Sequence, residues 1–306
     1  MSNQRLKITL QTAIGPMLWG TNYWIATELL PPNRPLLAAC ARALPAGALL
    51  LALAVRELPP SGWRLRIAVL ATLNVGLFFV LLFLAAERLP GGVAAAAGAV
   101  GPIVVLMLGW PVLGLRPTAI ALATGVLGVG GVAALVLGPA ASLDAVGVAA
   151  AIGCAASMAT ATVLGRRWGR PPLSILSLTA WQLAIGGLLV APFALVLEGV
   201  PAVPTTRNLA GFALMGLFGT AVAYALWIRG VTALPASSMQ FLALLSPAVA
   251  TAVGWATLGQ ALSRVQLAGA ALVIVAVAAG QVAGDPPGPC PGPRQIATAT
   301  AACARS

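Results

Sequence analysis

Histidine is absent from this 306-residue chain, and only six of its residues are acidic. The commonest metal ligand and neutral-pH general base is therefore missing. Four cysteines, Cys40, Cys154, Cys290 and Cys303, show neither metal-ligand nor Cys-x-x-Cys spacing, so no metal, cofactor or redox pair is expected. The acids Glu28, Glu57, Glu87, Asp144, Glu198 and Asp285 all fall at the ends of apolar runs or outside them. An intramembrane enzyme, such as a lipid-modifying transferase, needs a catalytic dyad within the bilayer, and neither a histidine nor an interior acid is available for one. Tight proton or sodium coupling calls for the same residue types in the membrane interior.

Apolar residues fill the space that charge leaves. They make up 60% of the chain against 8% charged, and mean hydropathy is +0.98. A soluble chain carries about 25% charged residues. Runs of about 20 apolar residues recur along the whole length, each long enough to cross a bilayer. The expectation is an all-α polytopic membrane protein with ten spans, near 8–28, 35–55, 65–86, 91–113, 118–138, 144–165, 174–197, 208–228, 235–258 and 264–284. The first run holds Gly15-Pro16 and lacks a small-residue cleavage site, so it reads as a retained span.

The formal charge of +11 comes from bases scattered through short loops. No basic patch interleaves with aromatics, so no nucleic-acid partner is expected. Arg5, Lys7, Arg56, Arg64, Arg66, Arg116, Arg166, Arg167, Arg170, Arg229, Arg294 and Arg305 fall on one side of a ten-span threading. Only Arg34, Arg88, Arg207 and Arg264 fall on the other, which puts both termini in the cytoplasm.

The sequence repeats at an offset of 145, so that Leu89-Pro90, Pro102, Gly109-Trp110 and Leu113-Gly114 land on Leu234-Pro235, Pro247, Gly254-Trp255 and Leu258-Gly259. Five spans precede Asp144 and five follow it. Duplicating an odd-numbered unit forces the copies, 8–138 and 144–284, to insert upside down relative to each other. Inverted repeats with a broken apolar helix in each half are a plan of secondary transporters, whose site lies between the halves near the midplane. The Pro- and Gly-rich stretch 285–306 is expected to be a disordered tail.

The candidate site follows from helical spacing. Pro102 cannot donate to the carbonyl of Gly98, nor Pro247 to that of Ala243, so both carbonyls are free either for a solute or for neighbouring helices. Trp19, Asn22 and Tyr23 share one helix face, as do Tyr224 with Trp227 and Asn74 with Phe78. An amide at bilayer depth is costly unless it faces protein or water, so Asn22, Asn74, Gln182 and Gln240 should point inward. Arg42 lies inside the second span, where it either meets a carboxylate or neighbouring carbonyls or snorkels to the surface.

These residues carry a family resemblance. Trp19-Gly20-Thr21-Asn22, Ala41-Arg42, Thr162-Val163-Leu164-Gly165-Arg166-Arg167, Gly219-Thr220-Ala221, Leu234-Pro235-Ala236 and Gly254-Trp255 resemble the EamA-type members of the drug/metabolite transporter superfamily, over residues 10–284. The resemblance implies export of small metabolites, nearest to the YddG-type exporters of aromatic and other neutral amino acids. It implies a cavity lined by spans one, three, four, six, eight and nine, with Met158 standing where the family often has a tryptophan. Leu115 and Gln260 stand where the family often has an acid after the Leu-Gly pair. The partners to expect are a small-molecule substrate and the lipid bilayer.

Overall fold

The computed structural model describes residues 3–53, 57–97, 100–114, 119, 123, 125–127, 130–131, 134, 144–169, 171–199, 204–233, 245–258 and 263–282. Most of the expected fifth span and all of the expected tail lie outside the described residues. The described elements are all helical: α1 (Asn3–Glu28), α2 (Pro35–Leu53), α3 (Ser61–Arg88), α4 (Gly91–Ala97), α5 (Gly101–Leu113), α6 (Ala145–Trp168), α7 (Ile175–Glu198), α8 (Thr206–Ala213 continued through Leu214–Val222 to Ala233), α9 (Leu245–Leu258) and α10 (Arg264–Val282). Five of these, α2, α3, α6, α7 and the Thr206–Trp227 part of α8, are long and apolar enough alone to cross a membrane.

Local chemistry sets the helix ends. Asp144 caps α6 by accepting from the Gly147 N–H at 2.8 Å, and Ser174 caps α7 by accepting from the Ser177 N–H. Thr205 and Asn208 form a reciprocal capping box at the start of α8. Gly114 ends α5 in the left-handed region at φ 72°, where a side chain is strained.

The helix contacts between the two halves come in matched pairs. α1 packs on α8 and on α9; α6 packs on α3 and on α5. α2 touches α8 as α7 touches α3, while α2 meets α7 and α4 meets α9 directly. Exchanging α1 with α6, α2 with α7, α3 with α8 and α4–α5 with α9 maps this contact set onto itself. That is the pattern of a pseudo-two-fold axis between the halves. The equivalent helices α3 and α8 even share an irregularity, a π-helical stretch at Thr72–Leu77 and at Leu214–Val222.

The seam on the axis is α2 against α7. A Cβ at Gly47 would lie 2.8 Å from the backbone N of Ala184, and one at Gly187 would lie 2.7 Å from Leu44 Cδ2. Absent side chains let the two backbones touch, which is how helices associate in lipid. Around it Ala39, Ala43, Ala46, Leu50, Phe79, Ala180 and Leu183 form a buried core.

Acids tie the halves together at both ends. Arg88 pairs with Asp144 at 2.9 Å, and Arg207 with Glu28 at 3.0 Å. The Gly147 N–H, with Arg88 beside it, holds the Asp144 carboxyl below the usual aspartate range. Towards the opposite end, the Ser174 N–H donates to Glu57 and holds its carboxyl low, while the Trp181 indole donates to the Glu57 carbonyl at 2.9 Å.

Glu198, at the end of α7, makes a two-pronged tie. Its two oxygens accept from the N–H groups of Leu36 and Leu37, both at 2.8 Å, in the first turn of α2. A carboxylate at a helix N-terminus also faces the favourable end of the macrodipole. Glu198→Ala should leave two amides unpaired and cost about 3 kcal/mol, from roughly 1.5 kcal/mol for each charge-assisted bond. Glu198→Gln should retain about half of that. Reversible unfolding in mixed micelles measures both; equal stability of all three proteins would show that the cap contributes nothing.

Candidate functional site

The described polar groups converge where α1 and α2 of the first half meet the π-helical stretch of α8. There the widened turn lets the Thr220 hydroxyl donate to the Met215 carbonyl five residues back, at 3.1 Å. The same hydroxyl accepts from Arg42 Nε at 3.0 Å, and Arg42 Nη2 donates to the Gly219 carbonyl at 3.4 Å. The guanidinium carbon sits 4.2 Å from the ring centroid of Phe79 on α3. Arg42 is 3% exposed, so its guanidinium turns inward rather than snorkelling to the surface. Its third nitrogen, Nη1, is buried without a partner.

Asn22 arrives from α1, equally buried at 3% exposure. Its Oδ1 would stand 2.5 Å from a Cβ at position 219, so only glycine there admits the amide. That oxygen has no hydrogen-bond donor. One turn earlier on α1, Trp19 packs against Tyr224 and Trp227 of α8, with ring centroids 5.5 Å and 5.2 Å apart. The Trp19 indole N–H is also buried and unpaired.

Trp19, Asn22, Arg42, Tyr224 and Trp227 are thus brought together, whereas Tyr23 packs towards α4, its Cβ 3.0 Å from where a Cβ at Gly91 would stand. Asn74 and Gln182 instead satisfy each other, Nδ2 donating to Oε1 at 2.9 Å, and so join α3 to α7. Phe78 packs on Phe79 at 5.7 Å, and its carbonyl accepts from the Cys154 thiol. Met158 is 42% exposed, outside the cluster around Arg42. Pro102 falls in the first turn of α5, where the missing N–H costs a helix nothing, while Pro247 lies in α9 and the residues just before Leu245 are outside the described ones. Gly98, Gln240 and Ala243 lie outside the described residues. The repeated tryptophans Trp110 and Trp255 are 57% and 67% exposed, as befits the outer belt of a membrane protein.

Sequence reasoning missed Phe79 as the plate under Arg42 and Thr220 as its hydrogen-bond partner. Phe79 adjoins Phe78, and Thr220 stands four residues, about one helical turn, before Tyr224, so both were next to faces already chosen.

Comparison with known proteins places this arrangement. The chain is 40% identical to Protein PecM of Dickeya dadantii (strain 3937) over 263 residues, 86% of this chain and 88% of that protein. It is 28% identical to the uncharacterized transporter YwfM of Bacillus subtilis (strain 168), covering 87% and 91% of the two chains. It is also 28% identical to the chloroplastic WAT1-related protein At3g02690 of Arabidopsis thaliana, covering 85% of this chain and 66% of that one. One crystal structure shares the fold with a TM-score of 0.63 at 18% identity, covering 90% of this chain and 97% of its own. The model of the EamA-like transporter family matches twice, at residues 7–137 and 145–279. A polytopic helical protein that matches this model through both halves belongs to the EamA-like transporter family.

Proposed function

We propose that the protein exports small amphipathic metabolites across the bacterial inner membrane, amino acids being the first class to assay, by alternating access between two inverted five-helix halves. Both termini face the cytoplasm in this reading, and no chemical reaction is involved. The observation that carries it is the buried polar cluster of Arg42, Asn22 and Thr220 at the junction of the halves, walled by Trp19, Tyr224 and Trp227. Buried polar atoms without partners are costly inside a bilayer, and a guest with an apolar body and polar head relieves that cost. Arg42 and Asn22 are each 3% exposed, so a solute reaches them only as α1 and α2 part from α8. Among the described residues no carboxylate belongs to this cluster, which supports facilitated efflux over ion coupling.

The test is flux from loaded proteoliposomes. A labelled amino acid or related metabolite should leave down its own gradient at least tenfold faster than from protein-free vesicles. A pH gradient alone should drive no uphill accumulation. Accumulation driven by the pH gradient would replace facilitated efflux with proton coupling; no flux for any solute in a broad panel would end the transporter reading.

A further inference from the structure

Arg42 is the only charged side chain that is buried among the described residues, and no acid lies within ion-pair distance of it. The five described acids are all engaged elsewhere. Glu28 holds Arg207, Asp144 holds Arg88, Glu198 holds the Leu36 and Leu37 amides, Glu87 holds the Arg34 amide, and Glu57 holds the Ser174 amide. A buried guanidinium stacked on Phe79 and bonded to two neutral oxygens is hydrogen-bonded but not neutralised. Such a charge is strongly unfavourable until an anion joins it.

The unpaired atoms around it specify what would join. Arg42 Nη1 and Trp19 Nε1 are donors, whereas Asn22 Oδ1 is an acceptor. All three belong to residues that touch one stretch of α8, from Gly219 to Trp227. A carboxylate meets the two donors and supplies the missing negative charge. A hydroxyl or amide N–H next to it meets the amide oxygen. An ammonium in that place would restore the net positive charge of the occupied site, with no described carboxylate at hand to receive it.

We propose that the species carried through this site is a monocarboxylate anion with an adjacent hydroxyl or amide N–H, in preference to a zwitterion, and that the membrane potential drives its export. The proposal rests on the transporter reading above and narrows its substrate class. The net charge moved in each cycle is that of the solute, whatever path the protein's own charges follow. An inside-negative potential therefore expels a monoanion, and no interior coupling carboxylate is required.

Three near-isosteres separate the alternatives: phenyllactate (an anion), phenylalanine (a zwitterion) and phenyllactamide (neutral). In proteoliposomes carrying a valinomycin-set potassium potential, phenyllactate flux should exceed that of the other two at least tenfold. Its equilibrium distribution should shift tenfold for each ~60 mV, the value for one charge. Arg42→Gln should bring the phenyllactate-to-phenyllactamide ratio to about one, whereas Arg42→Lys should keep a preference for the anion. Equal flux of phenylalanine or phenyllactamide in the wild-type protein, or a distribution indifferent to potential, overturns the proposal and leaves the transporter reading standing. If none of these solutes, nor any of a broad metabolite panel, moves faster than through protein-free vesicles, both fail together. Should Arg42→Gln not insert, the potential dependence of the wild-type protein decides alone.

Discussion

Gly47→Leu is expected to reduce the yield of folded, monodisperse protein in detergent more than tenfold. A single added Cβ at position 47 would already stand 2.8 Å from the backbone N and 3.2 Å from the Cα of Ala184. No rotamer change relieves such a contact, because the atoms it meets are backbone. α2 and α7 would have to separate, and with them the core of Ala43, Ala46, Leu183 and Phe79 packed around the seam. Overpacking against movable side chains already costs about 1–3 kcal/mol. Against two helix backbones on the axis between the halves, that figure is a floor. Gly165→Leu, in α6 where a Cβ meets nothing within 4 Å, is the matched control and should express normally. Fluorescence-detected size exclusion reads both; wild-type yield for Gly47→Leu would show that the seam is looser than its glycines imply.

The fold was legible because lipid makes composition decisive. An apolar run of sufficient length has few alternatives to a helix where no water satisfies the backbone. The repeat of Leu89-Pro90 through Leu113-Gly114 added the duplication, and the matched helix contacts agree with it. The seam was not legible. Gly47 and Gly187 are two glycines among 34, and the small-residue pairs that stood out in the sequence, such as Ala94 with Gly98, are not the ones on the axis.

The candidate site was legible in part, and for a physical reason. Helical spacing correctly grouped Trp19 with Asn22 and Tyr224 with Trp227, since residues three apart share a face whatever the tertiary contacts are. Spacing cannot say which faces meet. The amides Asn74 and Gln182, which spacing placed among the site residues, bond to each other across α3 and α7. Nor did spacing reveal the π-helical stretch at Leu214–Val222, which shifts the register of α8 and brings Thr220 to Arg42.

Gly219→Ala should separate function from fold. In most of α8 the exchange would favour the helix, by up to about 1 kcal/mol from propensity alone. The new methyl would stand 2.5 Å from Asn22 Oδ1, but what it meets is the end of a rotatable side chain, unlike the backbone met at Gly47. The protein should therefore insert and unfold like the wild type, with the Asn22 amide turned away from Arg42. Solute efflux should fall about 10- to 100-fold, the loss of roughly 1.4–2.8 kcal/mol of recognition. A double-mutant cycle with Asn22→Ala tests the cause: once the amide is gone, the added methyl should do little further harm, giving a coupling energy of about 1 kcal/mol or more. Additive losses would mean that Gly219 acts through the backbone of α8 alone. Undiminished flux in Gly219→Ala would remove Asn22 from the site, leaving Arg42 as the polar group on which recognition depends.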